Sequence, residues 1–304
     1  MSEASIPVDL LNPGQVFACL GFLEAAEVLA GDAHGGFDWS NEGDIRFRLS
    51  SKGETNPFET VLLFLCDATV TSRSAKDLGL STEQWSVDTT QYSSNTPFPF
   101  FPPSSPATLT AVLSVDDAEN GSDDPRQLEI SYWGDDRFMA GRDNAKFWGG
   151  AGGYPGARIL HNLLEQAHGQ LKNHLEDPFS LPAEMTSSFR FDWRRDYIDL
   201  NIGFSLNKHK KGRFKSVGYP LVEVLAAIGL ANARPEFIDR LTYRYSALGV
   251  GPDGELFCPL FLRAALGNSR LPFLRRTFHM DLSWPGQEGY DRSITTVYEE
   301  IDNG

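Results

Sequence analysis

Apolar residues recur along the chain in two rhythms, and glycine and proline mark where one gives way to the other. Residues 15–29 carry Val16, Phe17, Leu20, Leu23 and Val28, with the small residues Ala18, Gly21 and Ala25 along one side. This is the spacing of a buried helix, opened by Asn12-Pro13-Gly14 and ended by Gly31 and the Gly35-Gly36 pair. Residues 44–50 (DIRFRLS) alternate strictly, the signature of a half-buried strand. Asn56-Pro57 then opens a second helix through Val61, Leu62, Leu63, Phe64 and Leu65. Residues 92–106 hold five prolines, which forbid a helix or a central strand and predict an extended linker or a packed surface loop.

Strands are predicted at 109–115 and 127–133, on either side of an acidic turn at 116–124. The glycine-dense run 134–156 leads, through Pro155, into a helix predicted over 157–175. Residues 189–193 and 197–202 alternate like paired strands, 207–215 form a basic loop, and Tyr219-Pro220 opens an apolar helix over 221–230. Further strands are predicted at 240–245 and 271–282. The mixture is α+β. One internal echo stands out: VFACLGFLEA from Val16 lies over VLAAIGLANA from Val224, placing Leu20-Gly21-Phe22 on Ile228-Gly229-Leu230. Two pseudo-repeated subdomains would produce it; so would any two buried helices that share small and apolar residues.

Charge sharpens the division. The chain has 304 residues and a formal net charge of −14. Residues 1–130 hold 20 acids and 6 bases; residues 131–304 hold 21 of each. Within the second part, 131–276 is net +5 and 277–304 is net −5. An acidic N-terminal α/β subdomain (1–130) and a C-terminal α/β subdomain with a basic loop (131–304) are expected, with surfaces for different partners or acidic loops that only confer solubility. With 41% hydrophobic residues the chain can bury a core. It has no apolar run of 18 residues, its three cysteines are widely separated, and from its first residues no secretory leader is expected. No membrane partner and a reducing cytoplasm are the expectation.

Catalytic patterns are missing from the sequence. The run GGAGGYPG (149–156) has neither phosphate-loop nor dinucleotide spacing and reads more simply as a turn. His161, Glu165 and His168 share a helical face at i, i+4 and i+7, where a solvated surface explains them more cheaply than a metal. The cysteines sit among apolar neighbours, as inert core thiols do. No catalytic residue, metal or cofactor is therefore assigned. Two segments do interleave cations with flat groups, the chemistry that meets phosphates and stacks on bases. One holds Arg142 and Lys146 beside Phe147 and Trp148; the other holds Arg194 and Arg195 beside Trp193, then Lys208, Lys210, Lys211, Arg213 and Lys215. A surface salt-bridged by Asp192, Asp196 and Asp199, or a protein-docking patch, accounts for the same residues.

Three stretches carry a resemblance. Residues 6–21 (IPVDLLNPGQVFACLG), 191–197 (FDWRRDY) and 219–223 (YPLVE) resemble small CRISPR-associated proteins of the type I-U systems, also called I-G. The resemblance implies a non-catalytic subunit of a crRNA-guided, Cascade-type interference complex, a hetero-oligomer touching crRNA or target DNA and neighbouring effector subunits in antiviral defence. It implies either a large-subunit-like chain or one built of ferredoxin-like (RAMP-like) strand-and-helix units, and it carries no catalytic residues. The acidic balance argues for a peripheral place rather than for the principal RNA-coating subunit, which must neutralise many phosphates. A metal-dependent nuclease or accessory enzyme and a purely protein-binding adaptor are the other classes the sequence admits.

Overall fold

A helix that is apolar on every side has to lie inside a protein. The computed structural model describes residues 1–72, 109–115, 126–133, 156–168, 171, 176–185, 188–195, 217–283 and 293–300. Two helices in it meet that condition. In α1 (Pro13–Leu29) every residue from Pro13 to Ala26 is buried, and in α4 (Pro220–Asn232) every residue from Pro220 to Leu230 is buried. They cross each other at the centre of one hydrophobic core that runs from Ile6 to Ile294.

Around this pair the chain is mixed α+β, with five helices and several small antiparallel sheets among the described residues. β1 (Ser2–Pro7), β2 (His34–Asp38) and β3 (Arg46–Ser51) form a sheet of order β1-β3-β2, with α1 between β1 and β2 and α2 (Pro57–Asp67) after β3. β4 (Thr69–Ser72), β5 (Leu109–Val115) and β6 (Arg126–Trp133) form a second sheet in chain order, followed by α3 (Gly156–His168). β7 (Ala183–Glu184) and β8 (Val217–Gly218) make a short ladder ahead of α4. β9 (Glu236–Asp239), β10 (Thr242–Leu248), β11 (Arg275–Ser283) and β12 (Ser293–Glu299) form a four-stranded sheet of order β12-β11-β10-β9, with α5 (Pro259–Leu266) between β10 and β11.

Local sequence accounts for these elements. α1, α2, α4 and α5 each carry proline in the first turn, where its missing N–H costs nothing. Asn56 Oδ1 accepts from the Phe58 N–H at 2.9 Å and caps α2. In β3 the expected alternation holds, with Phe47 and Leu49 buried and Arg46 and Arg48 turned outward. The β2 edge of the first sheet is tied to the chain that follows β10: Val250 N–H donates to Phe37 O at 2.9 Å, and Gly35 and Phe257 exchange backbone bonds of 2.8 and 2.9 Å. Arg276 of β11 pairs with Glu299 and reaches Glu42 in the β2–β3 turn at 3.0 Å.

Some expectations change. Residues 189–193 are not a strand: Arg190 takes a left-handed φ of 66°, and Trp193–Arg195 form a 3₁₀ turn. The Asp192 carboxylate accepts the Arg194 N–H at 3.0 Å, a side-chain turn that favours the 3₁₀ turn over a ladder. Gly35 and Gly36, read from sequence as helix terminators, lie inside β2; a Cβ on Gly35 would stand 2.8 Å from the Phe47 ring. α3 is described over Gly156–His168, and of the rest of the helix expected to residue 175 all but Leu171 lies outside the described residues. The strand at 271–282 starts only at Arg275. The segments expected at 92–106, 116–124, 134–155, 197–202 and 207–215 lie outside the described residues. No helix among the described residues is long and apolar enough to cross a membrane.

Candidate nucleic-acid interface

A strand turns alternate side chains to opposite faces. In β10 and β11 one parity, Tyr243, Tyr245, Phe278, Met280 and Leu282, enters the core. Tyr245 is fixed there by donating its hydroxyl to Leu10 O at 2.8 Å and by stacking on Phe278 at 5.3 Å. Burial pushes its phenol well above the ordinary value. The opposite parity is therefore committed to the other face. The register places Glu236, Arg244, His279 and Tyr298 in one row across all four strands, with Ser246 and Thr277 in the next row and Arg275 beyond.

This outer face is held in place by its own hydrogen bonds. Arg244 Nε donates to Glu236 Oε2 at 2.8 Å and its Nη1 reaches Glu300 Oε2 at 3.4 Å. The chain leaving α5 turns back through Asn268, at φ 57°, a conformation asparagine tolerates. Asn268 donates to Glu236 Oε2 at 2.7 Å and accepts from Ser246 Oγ at 3.0 Å, which in turn lies 2.8 Å from Thr277 Oγ1. The Arg244 hydrogen bond, helped by that from Asn268, holds the Glu236 carboxyl below its ordinary pKa against the opposing effect of burial. The same bond to Glu236 raises the Arg244 guanidinium.

Glu236, Arg244, Asn268, Arg270, Arg275, Thr277 and Glu300 line a cavity of about 470 Å³. Three guanidinium groups face two carboxylates there. Arg244 is committed to both glutamates, whereas nothing among the described residues pairs with Arg270, and Arg275 donates only to Ser269 O. Beside the cavity the His279 and Tyr298 rings stack at 5.1 Å, 2° from parallel, with Tyr298 47% exposed and His279 Nε2 3.3 Å from Glu300 Oε2. Free cations next to an exposed flat ring suit a backbone phosphate and an unstacked base.

Of the cations picked out from the sequence, Arg194 has a structural task. Its guanidinium pairs with the buried Asp192, donates to Phe179 O at 2.9 Å and stacks 3.4 Å over the Tyr219 ring. Asp192 also accepts from Asn12 Nδ2 at 3.0 Å, and its own N–H donates to Glu223 Oε1 at 3.0 Å, so this knot ties the starts of α1 and α4. Arg195 closes the 3₁₀ turn. Arg142, Lys146, Lys208, Lys210, Lys211, Arg213 and Lys215 lie outside the described residues. His161 Nε2 and Glu165 Oε1 do meet, at 3.2 Å, but among the described residues no three metal-ligating side chains cluster.

Sequence reasoning did not single out Glu236, Arg244, Arg270, Arg275, His279 or Tyr298. The usable signal was the parity of 275–281, where Arg, Thr, His and Asp alternate with Arg276, Phe278 and Met280, next to three arginines in seven residues. No protein-family model, curated protein or solved structure matches this chain.

Proposed function

We propose that the chain is a non-catalytic subunit of a CRISPR type I-U/I-G crRNA-guided interference complex, acting in the cytoplasm, and that it contacts nucleic acid through the outer face of the β9–β12 sheet. One observation carries the nucleic-acid part: among the described residues Arg270 and Arg275 pair with no carboxylate, and they line a polar cavity beside the stacked His279–Tyr298 pair. Such a face supplies positioning charge and a stacking surface. It presents no sequence-reading helix, which suits a subunit in a complex where base pairing to a guide does the reading.

The topology supports the RAMP-like side of the resemblance. The succession β1-α1-β2-β3-α2 with sheet order β1-β3-β2 is that of the first five elements of a ferredoxin-like unit. The sixth element of such a unit, its fourth strand, would lie along the free edge of β1, whereas β4 pairs with β5. The succession α4-β9-β10-α5 repeats α1-β2-β3-α2, in keeping with the pseudo-repeat read from the two helices. On this reading the acidic residues 1–130 face neighbouring protein subunits, and the basic loop at 207–215 adds phosphate contacts to those of the sheet.

Co-expression with the remaining effector subunits and a crRNA tests the assignment. The chain is expected to purify with them in a stoichiometric complex. Recovery as a lone monomer, never with the other subunits, would overturn it.

A further inference from the structure

Resting on the reading of this face as a nucleic-acid interface, we propose that the cavity accepts a ribonucleotide unit and so prefers RNA to DNA. Phosphate alone does not explain the lining. A pocket built only for phosphate gains nothing from carboxylates, which repel it. Here Glu236 and Glu300 stand in the same wall as Arg270 and Arg275.

Each carboxylate spends one oxygen internally and keeps another. Glu236 Oε2 takes the bonds from Arg244 and Asn268, and Glu300 Oε2 takes those from Arg244 and His279. Neither Oε1 has a partner among the described residues. An ionised carboxylate is an acceptor only, so it calls for a hydroxyl or amine donor on the ligand. The Arg244 and Asn268 hydrogen bonds keep Glu236 ionised at neutral pH. Within one nucleotide of a strand, the donor nearest the phosphate is the ribose 2′-hydroxyl, which DNA lacks. The volume of about 470 Å³ lies within the roughly 300–1,000 Å³ of small-molecule sites. Phosphate on Arg270 and Arg275, the 2′-hydroxyl on a glutamate Oε1 and the base toward Tyr298 use every uncommitted group of the site.

The test uses the full chain and three labelled oligomers of one length: oligouridylate, oligodeoxyuridylate and 2′-O-methyl oligouridylate. The methyl group removes the donor with the protein unaltered. Oligouridylate is expected to bind about tenfold tighter than either of the others, the worth of one hydrogen bond to a charged acceptor. Glu236→Ala/Glu300→Ala should bring that ratio toward one, because all three oligomers gain from the loss of two negative charges and only the RNA loses a hydrogen bond. Equal binding of all three oligomers, with all three weakened by Arg270→Ala/Arg275→Ala, overturns the ribose preference and leaves the interface standing. Binding indifferent to Arg270→Ala/Arg275→Ala overturns the interface, and the preference with it.

Discussion

Gly21 and Gly229 face each other where α1 crosses α4, and each lies against the carbonyl four residues before the other. A Cβ on Gly21 would fall 1.9 Å from Leu225 O, and a Cβ on Gly229 would fall 2.3 Å from Phe17 O and 2.7 Å from Gly21 N. The contact is reciprocal, as at a local two-fold axis. It brings two backbones together at a spacing that only glycine permits, between one helix of the acidic residues 1–130 and one of residues 131–304.

Gly21→Ala and Gly229→Ala are therefore expected to destabilise the protein strongly. Each must push two backbones apart in a packed core, at a cost of about 3 kcal/mol. Aspartate at either position should cost at least as much, because it also buries a charge. Urea unfolding measures both; parent-like midpoints would mean that the helices do not cross at these residues.

Asp192→Asn removes the charge that Arg194 neutralises across the starts of α1 and α4. A loss of about 2 kcal/mol is expected, below the full cost of breaking a buried pair because Arg194 is 30% exposed. Arg194→Ala should cost a similar amount, and the double variant little more, since both sever one interaction. Thermal or urea unfolding of the three variants provides the cycle. Unchanged stability in Arg194→Ala would show that this arginine serves only an external ligand.

Acid should loosen the cavity wall. The Glu236 carboxyl has its folded pKa lowered, first by the Arg244 hydrogen bond. Its contribution to stability is therefore present above the ordinary value of 4.5 and is lost as pH falls through the lower folded value. Glu236→Gln should be less stable than the parent at neutral pH, and the gap should close on acidification below about 4.5. A gap that stays constant across that range would contradict the ion pair.

The cations at Lys208, Lys210, Lys211 and Lys215 are expected to add non-specific phosphate contacts. Replacing all four with Ala should weaken binding of every single strand to a similar degree and lower the slope of log affinity against log salt by about 0.7 for each phosphate no longer neutralised. Folded stability should hardly change, the expectation for lysines of a basic loop. Competition between strands of different sequence checks the first point, and melting checks the last.

The core was legible because apolar periodicity reports burial: Val16, Leu20, Val224 and Ile228 marked the two central helices, and Phe47 and Leu49 marked β3. Their mutual packing was legible only as a pair of glycines, since a sequence cannot state which backbone a missing Cβ admits. β2 was hidden because Gly35 yields its side-chain space to Phe47, so a strand looked like a helix terminator. The sheet-face site was hidden for a different reason. Its charges come from Glu236, Arg244, Arg275 and Glu300, spread over 65 residues, and only the strand register gathers them. Conversely Arg194, conspicuous in a basic stretch, is turned inward by an aspartate two residues away.

The central claim, that the outer face of the β9–β12 sheet contacts nucleic acid, is tested most directly by one measurement. Affinity for a labelled single strand is followed across a salt series for the parent and for Arg270→Ala/Arg275→Ala. The parent should bind at low salt and weaken steeply as salt rises. The variant should bind more weakly and show a slope shallower by about 0.7 for each phosphate it no longer neutralises, with an unchanged melting temperature. Parent-like affinity and slope in the variant at every salt concentration would contradict the account.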